Sequence, residues 1–225
     1  MIDDTIVAIS TPIGEGGIGI VRLSGSQALP IARRLFPKTL QHRHLTYGHV
    51  IDPQTGENID EALVAYMAAP HTYTREDMVE INCHGGPVPL QRILELALKE
   101  GARLANPGEF TLRAFLNGRI DLAQAEAVMD IIKAKTDASR RLAMGGLQGR
   151  LSQQVKELRQ SLLNVLAYLT ARIDFPDDEV EDREVLPSLV DAQSKLAQLI
   201  ANAQAGIIYR QGVRVALVGR PNVGK

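Results

Sequence analysis

Apolar residues follow one texture up to about residue 118 and another after it. In the first part, strand-length apolar runs at 6–9, 18–23, 45–51, 62–68 and 78–83 alternate with turn formers. The run at 45–51 leads into Asp52-Pro53-Gln54-Thr55-Gly56-Glu57, a hairpin signal before the next strand. A helix is expected after Ser26 as N-cap, with Ile31, Leu35 and Phe36 on one face. A second starts near Pro87, places Leu90, Ile93, Leu94, Ala97 and Leu98 on one stripe, and stops at Gly101. A third opens at Pro107 and Glu109 and ends near Asn117-Gly118.

Beyond Gly118 the period changes to that of helices. Asp121 with Gln124 reads as a capping box, and apolar positions recur at Leu122, Ala125, Val128, Met129 and Ile132. Leu151, Val155, Leu158, Leu162, Val165 and Leu169 alternate steps of four and three, the spacing of a heptad seam. An acidic loop broken by Pro176 follows at 174–184, then a last helix near Pro187 carrying Leu189, Leu196, Ile200, Ala203 and Ile207. No strand pattern appears between 118 and 211.

The chain closes on Val213-Arg214-Val215-Ala216-Leu217-Val218, a buried-strand pattern, followed at once by Gly219-Arg220-Pro221-Asn222-Val223-Gly224-Lys225. This is G-x-x-x-x-G-K directly after a strand. The glycines let backbone N–H groups turn onto phosphate oxygens, and the lysine supplies charge for the β- and γ-phosphates. The next position, which holds magnesium in such loops, lies past Lys225. The expectation is the front part of a larger P-loop NTPase that, as given, does not hydrolyse nucleotide.

Composition narrows the class. Lys and Arg number 25 against 26 Asp and Glu, a net charge of −1, so there is no overall basic excess to argue for nucleic acid. A local patch or a partner would have to supply that charge. A single cysteine, Cys83, excludes an intramolecular disulfide and a thiolate zinc site within this sequence. An acidic N-terminus and the lack of an apolar run of about 20 residues lead to an expectation of a cytoplasmic protein without a membrane span.

Four other groups invite chemistry. Gly14-Glu15-Gly16-Gly17-Ile18-Gly19 satisfies G-x-G-x-x-G, but a strand pattern follows it where a dinucleotide site needs a helix. A strand-connecting loop, or bare backbone approaching a ligand, fits better. Cys83 and His84 are adjacent on a strand and point to opposite faces, so they form no nucleophile–base pair, and Cys83 reads as a buried structural residue. Glu80, Asn82 and His84 share a polar face that is either solvated or lines a pocket. His42, His44 and His49, and the carboxylates Asp174, Asp177, Asp178, Glu179, Glu181 and Asp182, read as solvated groups rather than metal ligands.

With these motifs the chain closely resembles the MnmE (TrmE) family of tRNA-modifying GTPases. The matching stretches include Gly16-Gly17-Ile18-Gly19-Ile20-Val21-Arg22, His84-Gly85-Gly86-Pro87, Pro107-Gly108-Glu109-Phe110-Thr111 and Ala114-Phe115-Leu116-Asn117-Gly118. Asp121-Leu122-Ala123-Gln124-Ala125-Glu126-Ala127, Ile173-Asp174-Phe175-Pro176 and the P-loop continue in the family's order. The resemblance implies an α+β N-terminal domain at 1–118, a mixed sheet with helices similar to the tetrahydrofolate domain of glycine-cleavage T-proteins. The resemblance implies that this domain binds folate and forms a homodimer. The first part of an all-α helical domain at 119–211 and the start of an α/β P-loop GTPase domain at 212–225 follow.

The resemblance also implies that, with the flavoprotein MnmG (GidA), the family adds an aminomethyl or carboxymethylaminomethyl group to C5 of a tRNA wobble uridine. The one-carbon unit comes from a 5-formyl or 5,10-methylene tetrahydrofolate derivative. Arg22, Glu80 and Arg119 match folate-contacting positions, the last often lysine in relatives. Asn222, Val223, Gly224 and Lys225 match GTP contacts, with Mg2+ held beyond Lys225. Asn222 also matches a ligand of K+, which serves where other GTPases use an arginine finger. The rival expectation is a regulatory P-loop GTPase acting as a binding switch of the ribosome-assembly type.

Overall fold

The computed structural model describes residues 4–175, 183–211, 216, 218 and 219. Asn222, Val223, Gly224 and Lys225, most of the expected 213–218 strand, and the carboxylates from 177 to 182 lie outside the described residues. The chain forms two compact units, Met1–Ile120 and Asp121–Lys225.

The first unit is α+β. Its six-stranded sheet has the order β3-β4-β5-β2-β1-β6, from β1 (Ile6–Ile9), β2 (Gly19–Ser24), β3 (Leu45–Ile51), β4 (Asn58–Met67), β5 (Met78–Cys83) and β6 (Arg103–Leu104). All pairings are antiparallel except that of β6 with β1. The alternation of the strands decides the layering. Val7, Val21, Leu23, Val64, Val79 and Ile81 are fully buried on one face, in a core shared with Ile31 and Leu35 of α1 (Ala28–Leu35) and Ile93 of α2 (Pro87–Lys99). The other face carries Ala8, Ile20, Arg22, Glu80, Asn82 and Ala65, all part-exposed.

At one end of that second face Ile6, Ser24 and Met78 are buried. Here α3 (Glu109–Leu116) is fastened by Arg113, which donates to the Asp4 carbonyl at 2.8 Å and to the Asp4 carboxylate at 2.6 Å. The β3–β4 hairpin forms where the turn residues place it, with Gly56 at φ 73.

Two expectations need correcting. Ser26 does not cap α1: Gln27 holds that position without a side-chain bond. The Thr5 hydroxyl, far away in sequence, accepts the Gln27 N–H at 2.9 Å, so a tertiary contact replaces the local cap. The second strand begins at Gly19 rather than at Ile18, which is 67% exposed.

The second unit is all-α among the described residues: α4 (Leu122–Lys133), α5 (Asp137–Leu147), α6 (Arg150–Asp174) and α7 (Leu186–Gln211). The Asp121–Gln124 capping box forms as its sequence implies, and Thr136 with Ser139 makes a second one that opens α5. Gly149, at φ 78, separates α5 from α6. Of the heptad positions on α6 only Leu158 and Val165 are buried.

Candidate functional site

Arg22 on β2 and Glu80 on β5 stand directly opposite each other on the sheet face that α1 and α2 leave uncovered. Both of the arginine's contacts go to one oxygen: Nε donates to Oε1 at 2.8 Å and a terminal nitrogen lies 2.7 Å from the same atom. Glu80 Oε2 accepts no bond from the described residues. The next residues in the same cross-strand row are Ala8 and Ala65, so no large side chain lies directly beside the pair. The side chains are 27% and 23% exposed, a charged pair half sunk in the sheet rather than extended into water. Phe110, from the first turn of α3, sets its ring centroid 5.7 Å from the Arg22 guanidinium carbon.

Arg119 reaches the same helix by another route. The chain leaves α3 through Gly118, at φ 69, and the Arg119 N–H returns to the Ala114 carbonyl at 2.9 Å. Its guanidinium lies 4.7 Å over the Tyr73 ring, and the Tyr73 hydroxyl is 2.9 Å from Thr111 Oγ1. Phe110 and Thr111 of one helical turn therefore touch both sides of the candidate site. Arg22 and Glu80 are brought into contact, whereas no hydrogen bond or ion pair joins Arg119 to them. Sequence reasoning did not single out Phe110 or Tyr73, since an aromatic residue beside an arginine has no spacing signature.

An ionic network centred on the buried Arg113 and Glu109 holds α3 in place, and no local sequence pattern marks it. Arg113 is 1% exposed and meets Asp4, Glu76 and Glu109 at 2.6, 3.2 and 3.2 Å. Glu109 accepts from Arg103 through both oxygens, at 2.5 and 3.1 Å. These bonds from Arg103, more than any other influence, hold the Glu109 carboxyl down at about 2.

The remaining candidates separate. Cys83 is buried, and desolvation pushes its thiol up to about 11, so it is no thiolate nucleophile. His84 instead contacts Asp60, Nδ1 to Oδ1 at 2.6 Å with its backbone N–H on Oδ2 at 2.8 Å, and this carboxylate raises the imidazole above its ordinary range. The glycine-rich run lies between the antiparallel strands β1 and β2 and opens no helix, so it forms no dinucleotide cradle. His42 accepts the Ala68 N–H at 2.9 Å, while His49 lies 3.4 Å from Glu61. Among the described residues no three His, Cys, Asp or Glu side chains converge as a metal site. No described helix is long and apolar enough to cross a membrane.

Residues 5–119 match the family described as GTP-binding protein TrmE N-terminus, and residues 122–216 match the MnmE helical domain. The chain belongs to the MnmE (TrmE) family. Proteins named tRNA modification GTPase MnmE are similar to it throughout. That of Chloroflexus aurantiacus is 56% identical over 227 residues, covering 99% of this chain and 50% of the relative. That of Roseiflexus castenholzii is 54% identical over 229 residues, covering 100% and 49%. For Alkaliphilus metalliredigens the figures are 51% over 234 residues, 100% and 51%. The chain thus spans about half the length of the MnmE relatives it matches.

Proposed function

We propose that the protein acts as a tRNA-modifying GTPase in which residues 1–118 bind a reduced folate. The observation that carries the folate part is the Arg22–Glu80 pair on an open sheet face, with Glu80 Oε2 unengaged and alanines on either side in register. A carboxylate so held suits the paired N–H donors of an aminopyrimidine ring. Arg119, exposed over Tyr73, suits an anionic tail. Bound there, the folate would supply the one-carbon unit. Arg22 would keep the carboxylate oriented, and the first turn of α3 would wall the site.

In this reading residues 119–211 are the first part of the helical domain and 212–225 begin the GTPase, where Asn222, Val223, Gly224 and Lys225 hold GTP. Asn222 also ligates K+, and Mg2+ completes the nucleotide site. The N-terminal domains pair as a homodimer in the cytoplasm. With the flavoprotein MnmG they act on C5 of a wobble uridine. GTP hydrolysis moves the GTPase domains and so reorganises the site that meets tRNA.

Calorimetric titration with 5-formyltetrahydrofolate tests the folate site. Saturable binding is expected, and Glu80→Ala should weaken it by about 2 kcal/mol or more by stranding ring donors. A loss below tenfold would remove Glu80 as the anchor. No binding by the unaltered protein would favour the regulatory-switch alternative. For the nucleotide site, GTP hydrolysis by the whole protein should be faster in potassium than in sodium, and equal rates would end the role given to Asn222.

A further inference from the structure

The even balance of charge along the chain hides a local bias. Residues 16–51 contain no Asp or Glu, yet hold Arg22, Arg33, Arg34, Lys38 and Arg43 with His42, His44 and His49. Folding gathers part of this set along one border of the sheet. Arg33 and Arg34 close the last turn of α1. Arg34 is matched by Glu100 at 2.5 Å, whereas Arg33, Lys38 and Arg43 form no ion pair with a described carboxylate.

The loop after α1 folds onto β3, the border strand of the sheet. Lys38 Nζ donates to the Tyr47 carbonyl at 2.9 Å and lies 5.6 Å over the Tyr47 ring. Arg43, at φ 58, returns its N–H to the Tyr66 carbonyl at 2.8 Å, which sets its side chain beside the His71 carbonyl. The His42 ring meets Tyr66 edge-on, with centroids 6.3 Å apart. Arg33 lies near enough to the same phenol to act on it electrostatically, against the stronger effects of desolvation and Asp77. On the outer side Tyr47 is 54% exposed, its ring 6.3 Å from that of His49.

We propose that this rim, made by the last turn of α1, the 37–44 loop and β3, is a docking surface for RNA. Arg33, Lys38 and Arg43 engage backbone phosphates, and the Tyr47 ring takes an unpaired base or sugar face. Lys38 over the exposed Tyr47 ring, whose hydroxyl bonds the Glu61 carboxylate, joins the unpaired Arg33 and Arg43 along the same border. Such cations beside a ring bind nucleic acid through charge and stacking without demanding a sequence. A lysine laid against a border strand, as Lys38 is against β3, also deters strand pairing. That accounts for Lys38, but not for Arg33 and Arg43 or for a 36-residue stretch free of carboxylates. Protein interfaces, by contrast, are depleted in charge at their core and in Lys relative to the rest of the surface. The tRNA-directed function proposed above is the premise here.

Transfer RNA affinity of the whole protein, measured by fluorescence anisotropy over a range of salt, tests the rim. Combining Arg33→Gln, Lys38→Gln and Arg43→Gln removes three phosphate contacts. The slope of log affinity on log salt should fall in magnitude by about 2, and binding near 0.1 M salt should weaken roughly a hundredfold. Tyr47→Ala should weaken binding several-fold with the slope kept. GTP hydrolysis and reduced-folate binding should be unchanged in both. Unaltered RNA affinity and slope in the triple variant would overturn the rim, and if binding to the flavoprotein were lost instead, the surface would belong to a protein. An unaltered protein that binds no tRNA at any salt would overturn the rim and the tRNA-directed function together. Ultraviolet crosslinking of the unaltered protein reads the same surface without substitution: crosslinked peptides should fall within 33–49, and crosslinks confined elsewhere would refute the assignment.

Discussion

Glu109 shows how a buried, ion-paired carboxylate makes the first unit sensitive to acid. It is 6% exposed, takes two bonds from Arg103 and one from Arg113, and accepts the Asn106 N–H at 2.8 Å. Its folded-state value of about 2 lies below the ordinary 4.5, so the unfolded chain binds this proton more readily. The stability it contributes is therefore complete above about pH 4.5 and is lost as pH falls toward 2. Asp4, lowered chiefly by Arg103, acts in the same direction. Urea titrations should show the unfolding free energy dropping through that window. Glu109→Gln should make the drop shallower and destabilise by about 2 kcal/mol at neutral pH, since Arg113 keeps Asp4 and Glu76. An unchanged pH profile would assign the acid sensitivity to other carboxylates.

Among the elements, close approach decides more than propensity. At Gly85 an added Cβ would fall 2.5 Å from the Gly16 carbonyl oxygen and 2.9 Å from that of Ile18. The glycine-rich run therefore lies against the turn between β5 and α2. Gly85→Ala should cost about 2 kcal/mol, because backbone rather than a flexible side chain must move. Thermal melting would read it, and a melting temperature within a degree of the parent would mean that the loop yields freely. This contact also shows what could be read from sequence and what could not. Strands β1, β3 and β5 were legible as apolar runs, the Asp121–Gln124 cap as a local motif, and the loop nature of 14–18 from the strand pattern after it. The partners of Gly85, the Thr5 hydroxyl under α1 and the two-residue β6 depend on residues far apart in the chain, where no local pattern marks them. The same holds at the candidate site. Arg22 and Glu80 were named through family resemblance, but their single-oxygen pairing and the Phe110 and Tyr73 walls follow from strand register and the seat of α3.

At the scale of the whole molecule the two units differ in how much they bury, and that difference predicts how they behave apart. The first unit has a core of its own, with Val7, Val21, Leu23, Ile31, Leu35, Val64, Ile81 and Ile93 all at 0% exposure. Its ionic network runs from Asp4 to Arg113 without leaving residues 1–120. In the second, buried apolar side chains among the described residues are Ala127, Ala143, Leu158, Val165 and Ala192, while Leu166, Leu196 and Ile200 are 59, 46 and 63% exposed. Helices gain most of their stability from a packed apolar face rather than from propensity. Residues 1–120 produced alone should therefore unfold cooperatively in urea, with the same midpoint by far-ultraviolet dichroism and by tyrosine fluorescence. Residues 121–211 produced alone should either lose much of their helicity at low concentration or recover it by self-association, visible as a concentration-dependent dichroism signal and sedimentation coefficient. A helical segment that stays monomeric and fully helical at micromolar concentration would show that α4 to α7 reach independence with few buried side chains. The stability of the second unit would then have to come from local capping and helix propensity, not from apolar burial.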